Sequence, residues 1–469
     1  MARLTTIWLL ASMICTTYLH AQTVESIIET FGDDEIPELE ELLRSLVASP
    51  FEINKVPVDS LASLWFLHPG QIEALAELHR RYFPNITEQH IAEATGLSEE
   101  IVAALFSART PFHSQARVRS RTLRKNTGWQ HSQRIDLTTE PFAAGLVAEK
   151  DPGEKRLTDF SAGYLRLAPL GQHSQLVLGN FVLQGGLGLA FAGAYGSPGL
   201  SQPAQAVVFT NPRIRPFRST TENIAFNGAA ASIEWSTLHM LVMLSKARRD
   251  ARIEAGGIVS SRPVDGLHVS DGQRAARNAL GENSGAVVFS ATPMARLQVT
   301  ASVLRQHFSH AIFPPDTIRQ RFAFRGKSHT LFAVAFQYHN EDQKVTLVGE
   351  GATSAPGSAG ILGLTVKAGR ALLAAAGWHA DAGFQNDFGA LPGNRTGETD
   401  NQSAFYLGAE SIILGGALQL YALRSSTPWR TFRLPQPSAR QDFGLQWQRR
   451  LPKASDLLLR IRFRSRESY

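Results

Sequence analysis

The chain has 469 residues, 47 Lys and Arg against 41 Asp and Glu, a formal net charge of +6 and one cysteine. A lone cysteine, Cys15, excludes a disulfide framework and a thiolate zinc site. Beyond the leader no apolar run approaches the roughly 20 residues of a spanning helix, so any membrane crossing falls to strands, and only a closed barrel satisfies strand backbones in hydrocarbon.

Residues 1–21 read as a secretory signal peptide: Arg3, then an apolar run from Ile7 to Ile14, then Leu19-His20-Ala21, with cleavage before Gln22. Met13 and Ile14 stand before Cys15 where lipid attachment would want small residues. No cysteine is therefore expected in the exported chain.

Residues 22–110 are acidic, with 16 Asp and Glu against 5 Lys and Arg, net −11; the remainder from residue 111 has 41 basic and 25 acidic residues, net +16. Apolar residues of the acidic segment recur at helical spacing. Ile36, Leu39, Leu42, Leu43 and Leu46 form one pattern. Leu61, Leu64, Trp65, Ile72, Leu75 and Leu78 form another around a His68-Pro69-Gly70 break. Two more patterns are separated by Gly96, with Ser98 as an N-cap and Glu99 and Glu100 set against the helix dipole.

Within this segment Ile53-Asn54, Asp59-Ser60-Leu61, Leu67-His68-Pro69-Gly70-Gln71-Ile72 and Ala94-Thr95-Gly96-Leu97-Ser98-Glu99-Glu100-Ile101 resemble tandem helix-hairpin-helix modules, as in DNA-binding proteins of bacterial competence systems. The resemblance covers about residues 50–107. It implies hairpin contacts at Gly70, Gln71 and Gly96 with nearby cations Lys55, Arg80 and Arg81. The Gly-x-Gly of DNA-binding members is absent: Gln71-Ile72 follows Gly70, and Leu97-Ser98 follows Gly96. Phosphate affinity depends on cation neutralisation, so a segment of net −11 disfavours DNA and favours a periplasmic protein partner.

From residue 111 the period falls to two. Phe332, Val334, Phe336 and Tyr338 alternate with Ala333, Ala335 and Gln337; Leu297, Val299, Ala301 and Val303 alternate with Gln298, Thr300 and Ser302. Leu459, Ile461 and Phe463 interleave with Arg460, Arg462 and Arg464, and three arginines on one face require a wet environment. Strand segments are expected at 115–122, 131–138, 142–149, 160–168, 173–183, 226–235, 237–246, 285–291, 296–306, 329–338, 343–350, 360–367, 371–379, 403–412, 417–424, 441–449 and 456–464. Residues 196–222, 257–284, 309–328 and 381–402 read as long external loops. Together with export, these predict a mainly β chain: an antiparallel transmembrane β-barrel of roughly 16 strands, an even number, behind a small all-α domain.

Gly179 through Leu189 is glycine-rich without a βαβ context, so the glycines predict bending or close backbone approach rather than a dinucleotide site. Arg213, Arg215 and Arg218 form a candidate anion-binding loop, with Glu222 as an internal partner for one of them. Gly179–Leu189 and the Phe217-Arg218-Ser219-Thr220-Thr221-Glu222-Asn223 segment also resemble uncharacterised helix-hairpin-helix proteins of the Bacteroidota and related bacteria, in which a helical region precedes an outer-membrane barrel. Members are often longer at the C-terminal end, so terminal strands are expected to be missing here. The resemblance implies an architecture and no activity.

No His-Glu-x-x-His or Gly-x-Ser-x-Gly motif occurs, and His307 and His310 are a loop pair rather than a metal site. The sequence therefore predicts a non-enzymatic outer-membrane protein without a cofactor, in a structural, transport or docking role, its acidic domain in the periplasm and its barrel in contact with lipid and lipopolysaccharide. The alternatives are a DNA-binding or DNA-uptake component and an outer-membrane lipid-modifying enzyme.

Overall fold

The computed structural model describes most of residues 50–467, together with Leu43 and Leu46. The leader, the first predicted helix apart from those two leucines, and scattered loop residues including Lys55, Trp65 and Glu222 lie outside the described residues. The chain divides into two compact units, Met1–Phe112 with Arg449–Leu457, and His113–Gln448 with Leu458–Tyr469.

In the first unit, α1 (Pro69–Tyr82), α2 (Glu88–Thr95) and α3 (Glu99–Leu105) follow one another, and β1 (Phe51–Glu52) pairs in parallel with β2 (Phe106–Ser107). Proline opens α1, where its missing N–H costs nothing. Thr87 caps α2 through the His90 amide, Gly96 closes it in the left-handed conformation, and Ser98 caps α3 through the Ile101 amide. The helical spacing buries Leu61, Leu64, Leu75, Leu78, Ile91 and Val102 in one core. Asn54 clips the unit together, donating to the Ile86 carbonyl and accepting from the Ile86 amide.

The second unit is one sheet of 21 strands. Its strands are β3 (Ser114–Lys125), β4 (Gly128–Thr139), β5 (Phe142–Lys150), β6 (Phe160–Leu167), β7 (Gln175–Gly186), β8 (Phe191–Ala192), β9 (Thr210–Pro216), β10 (Phe226–Trp235), β11 (Leu238–Arg249), β12 (Arg252–Glu254), β13 (Ile258–Ser261) and β14 (Leu280–Met294). They continue through β15 (Leu297–Ile312), β16 (Gly326–His339), β17 (Val345–Ser354), β18 (Gly357–Ala368), β19 (Ala371–Ala380), β20 (Gln402–Ile413), β21 (Gly416–Thr427), β22 (Ser438–Leu451) and β23 (Ser455–Arg466). Setting aside the short β8, β9, β12 and β13 leaves seventeen long strands among the described residues, one for each segment expected from the sequence, rather than an even number near 16.

Each long strand is antiparallel to the next. The run passes from β7 to β10 and from β11 to β14, stepping over the short strands. At its end the Glu467 amide donates to the Ala439 carbonyl, while Arg464 meets Asp442 and Arg460 meets Gln446, so β23 lies antiparallel to β22.

Alternation gives the sheet two unlike faces. On one, Leu241, Val288, Ser302, Ala333, Ala352, Ala359 and Ala380 oppose one another across seven strands, and all are buried. On the other, Leu364, Ala375, Leu407, Ala422 and Phe443 form a row across β18 to β22 that Phe463 of β23 extends. Here Leu407 is 48% exposed, and Phe332 and Val334 are 53% and 56% exposed.

The buried face is covered by the chain itself. Phe384, Phe388 and Leu391 of the 381–401 connection join Leu187, Leu189 and Phe191 in its core. That connection was expected as an external loop; its four buried apolar residues, Ala390 included, bind it to the inner face instead. The 257–284 stretch likewise holds β13, α4 (Asp271–Ala276) and the start of β14.

Candidate functional site

The inner face carries three polar constellations. The first holds the inward segment in place. Beyond β7 the chain turns at Gly186 and Gly188, with φ of +64° and +98°, and the turn aims three backbone amides at Glu350 of β17. Its Oε2 accepts from Leu187 at 2.6 Å and Leu189 at 3.1 Å, and its Oε1 from Ala190 at 3.0 Å. Successive amides in such a turn make an anion-binding concavity, and here the chain's own carboxyl group occupies it. A Cβ on Gly186 would stand 2.8 Å from Glu350 Oε2. Asn386 adds a second clasp, donating to the carbonyls of Leu189 and Ala190.

Gly179, earlier in the same glycine-rich stretch, has φ +94°, and a Cβ there would lie 2.3 Å from the Gly163 carbonyl oxygen. The close backbone approach expected from the glycines is present. The tight turn beyond it cradles a side chain of the protein.

The second constellation lies where the inward connections meet β11, β14, β15 and β16. Arg249 grips Glu282 at 3.1 and 3.3 Å and lies over the Phe388 ring. Arg262 holds Asp387 in a two-pronged pair. Asp250 accepts from the Asn278 amide at 2.8 Å and contacts His268 at 3.0 Å. Burial alone would raise the Asp387 pKa, but the Arg262 guanidinium outweighs it and holds the carboxyl below the usual carboxylate range.

The third constellation is basic. Asp442 of β22, buried, accepts from Arg462 at 3.1 Å, Arg464 at 3.2 Å and the Tyr421 hydroxyl at 3.0 Å, and pairs with Arg440. On β4, Asp136 pairs with Arg134 at 2.7 Å.

The predicted site residues scatter. Lys55 lies outside the described residues. Gly70 is inside the first turn of α1, Gln71 donates to the Thr95 carbonyl at 2.7 Å, Arg80 pairs with Glu77, Arg81 lies over Tyr82, and Gly96 caps α2. Arg213 donates twice to Gln184 Oε1, and Arg218 sits 5.7 Å over the Tyr164 ring. Arg215 shares β9 with Arg213, two residues on, and also has an interaction partner. The expected partner Glu222 lies outside the described residues. Glu350, Asp387 and Asp442 were not singled out in the sequence. The available signal for Glu350 was a lone carboxyl flanked by Gly349 and Gly351 in an otherwise uncharged strand.

Among the described residues no group of three or more His, Cys, Asp and Glu side chains is placed to hold a metal ion, and no helix is long and apolar enough to cross a membrane.

No protein-family model and no curated protein matches the chain. Solved structures match loosely. OpdQ of Pseudomonas aeruginosa is 10% identical, with 76% of this chain and 92% of that chain covered and a TM-score of 0.38. OccAB3 of Acinetobacter baumannii is 6% identical, covering 76% and 93% at 0.38. Wzi of Escherichia coli, an outer-membrane protein of capsule assembly described as a carbohydrate-binding β-barrel, is 8% identical, covering 76% and 80% at 0.37. Likeness at this level transfers neither site nor activity.

Proposed function

We propose that the second unit is a closed outer-membrane β-barrel and that the protein has a non-enzymatic structural or docking role, with the acidic helical unit in the periplasm. One observation carries this reading: the outward apolar row that runs register by register from β18 to β23. A soluble sheet exposing so many Leu, Val and Phe side chains would present a continuous apolar patch far larger than monomers tolerate in water, whereas an acyl-chain environment makes the same face favourable.

The buried face favours anchoring over a wide pore. Its core links side chains of the wall with Leu187, Phe191, Phe384 and Phe388, and this packing fills space that an open channel would leave to water. In the acidic unit Gln71 and Arg80 are engaged within the protein, which supports a packing or protein-docking role over DNA binding. The deciding experiment is membrane fractionation combined with electrophoresis of unboiled and boiled samples. Outer-membrane recovery and heat-modifiable migration are expected; a soluble periplasmic protein without a mobility shift overturns the reading.

A further inference from the structure

The register that builds the wall also sorts its arginines. Arg117, Arg119 and Arg121 of β3 stand opposite Asp136, Arg134 and Ser132 of β4. Directly opposed residues share a face. The buried Tyr164, a member of the inner core, reaches Asp136 at 3.4 Å, which identifies that face as the inner one. Val118, between two of the arginines, is 74% exposed on the outer face.

The last strand repeats the pattern. Leu459, Ile461 and Phe463 are exposed outward, and Arg460, Arg462 and Arg464 alternate with them toward buried Asp442 and toward Gln446. Among the described residues, none of β3, β4, β22 or β23 belongs to the apolar core on the inner face. Asp136 pairs with Arg134, and Asp442 is shared by Arg440, Arg462 and Arg464; Arg117 and Arg121 have interaction partners as well, but arginines outnumber these two carboxylates along the four strands.

Closure of the run, on which this inference rests through the barrel reading, brings β3 and β23 together. We infer that their arginines then form a continuous binding and conduction strip for small oxyanions, of the phosphate or carboxylate class, along the sector of the wall where the described side chains of β3 and β23 are exposed or half-buried. Guanidinium forks match such oxyanions two bonds at a time. Cations of one sign along a low-dielectric wall also concentrate counter-anions.

The test inserts the full-length protein into planar bilayers under a KCl gradient, with inorganic phosphate as a second probe and heat-modifiable migration as the control for folding. The expected result is a small conductance whose reversal potential lies on the chloride side and which added phosphate reduces. Selectivity should weaken from about 0.1 M to 1 M salt, as the screening length falls from about 10 Å to about 3 Å. In Arg119→Gln/Arg121→Gln and, separately, Arg460→Gln variants that keep their heat-modifiable shift, the reversal potential should move toward zero and the phosphate effect should shrink severalfold. A folded, inserted protein that is silent, unselective or cation-selective overturns the strip and leaves the barrel standing. A chain that never shows the mobility shift overturns both.

Discussion

Glu350 closes a contact between residues 160 to 163 positions apart in sequence, and its two oxygens satisfy three buried amides. A buried amide left unpaired costs about 1–3 kcal/mol. Glu350→Ala should therefore destabilise the β unit by at least about 3 kcal/mol. Glu350→Gln, which keeps one acceptor oxygen, should cost clearly less. The temperature at which the unboiled form loses its compact mobility measures both, and equal effects of the two variants would refute the acceptor role.

Asp387 provides a pH-dependent counterpart. Its folded pKa lies below the unfolded value because Arg262 favours the charged form over the cost of burial. A depressed pKa contributes stability that is fully present above the unfolded value of about 3.9. That contribution is lost as pH falls through the folded pKa. Proteolysis or amide exchange within 381–401 should therefore rise on acidification below about pH 4, and Asp387→Asn should show raised exchange already at neutral pH with a flatter acid dependence.

Strands of this sheet are legible where a two-residue period meets turn punctuation. Phe226–Trp235 coincides with its expected segment; β15 begins at Leu297 rather than residue 296 and runs on to Ile312, and β16 extends beyond 329–338 at both ends. The outward exposure of Phe332 and Val334 follows from the same alternation. What alternation cannot reveal is which loops turn inward. β8 and β9 take their register from the far end of β7, and the 381–401 connection is fixed by partners such as Gly188 and Ala192, nearly two hundred residues earlier. A polar, glycine-rich composition conceals the few aromatic residues that do the packing.

Two substitutions test the elements. Gly179→Ala forces a side chain into a left-handed backbone and against the Gly163 carbonyl, so it should cost about 2 kcal/mol or more and lower folding yield in detergent. Leu407→Arg places a charge on the outward row, where a midplane arginine costs about 2–4 kcal/mol. It should reduce membrane assembly, while Ser302→Ala on the inner face should not. Free tolerance of Leu407→Arg would argue that this face meets water.

Over the whole molecule, strand count fixes the geometry of closure. Each of the sixteen steps along seventeen long strands reverses direction, so β3 and β23 point the same way. A membrane requires that no lipid-facing strand edge remain unpaired, and these two strands can meet only in parallel. Bacterial single-chain barrels ordinarily have even counts and close antiparallel, although an odd count of 19 is known in a mitochondrial barrel. The seam can be mapped by engineered cysteines alone, since the only native cysteine, Cys15, lies in the expected leader. Val118→Cys and Thr122→Cys on the outward side of β3 are each paired with cysteines scanned through positions 457, 459, 461, 463 and 465 of β23. A parallel seam moves the best disulfide partner of Thr122→Cys about four residues C-terminal to that of Val118→Cys. An antiparallel seam moves it the other way, and an absence of crosslinks at every pairing would mean that the run does not close through these strands.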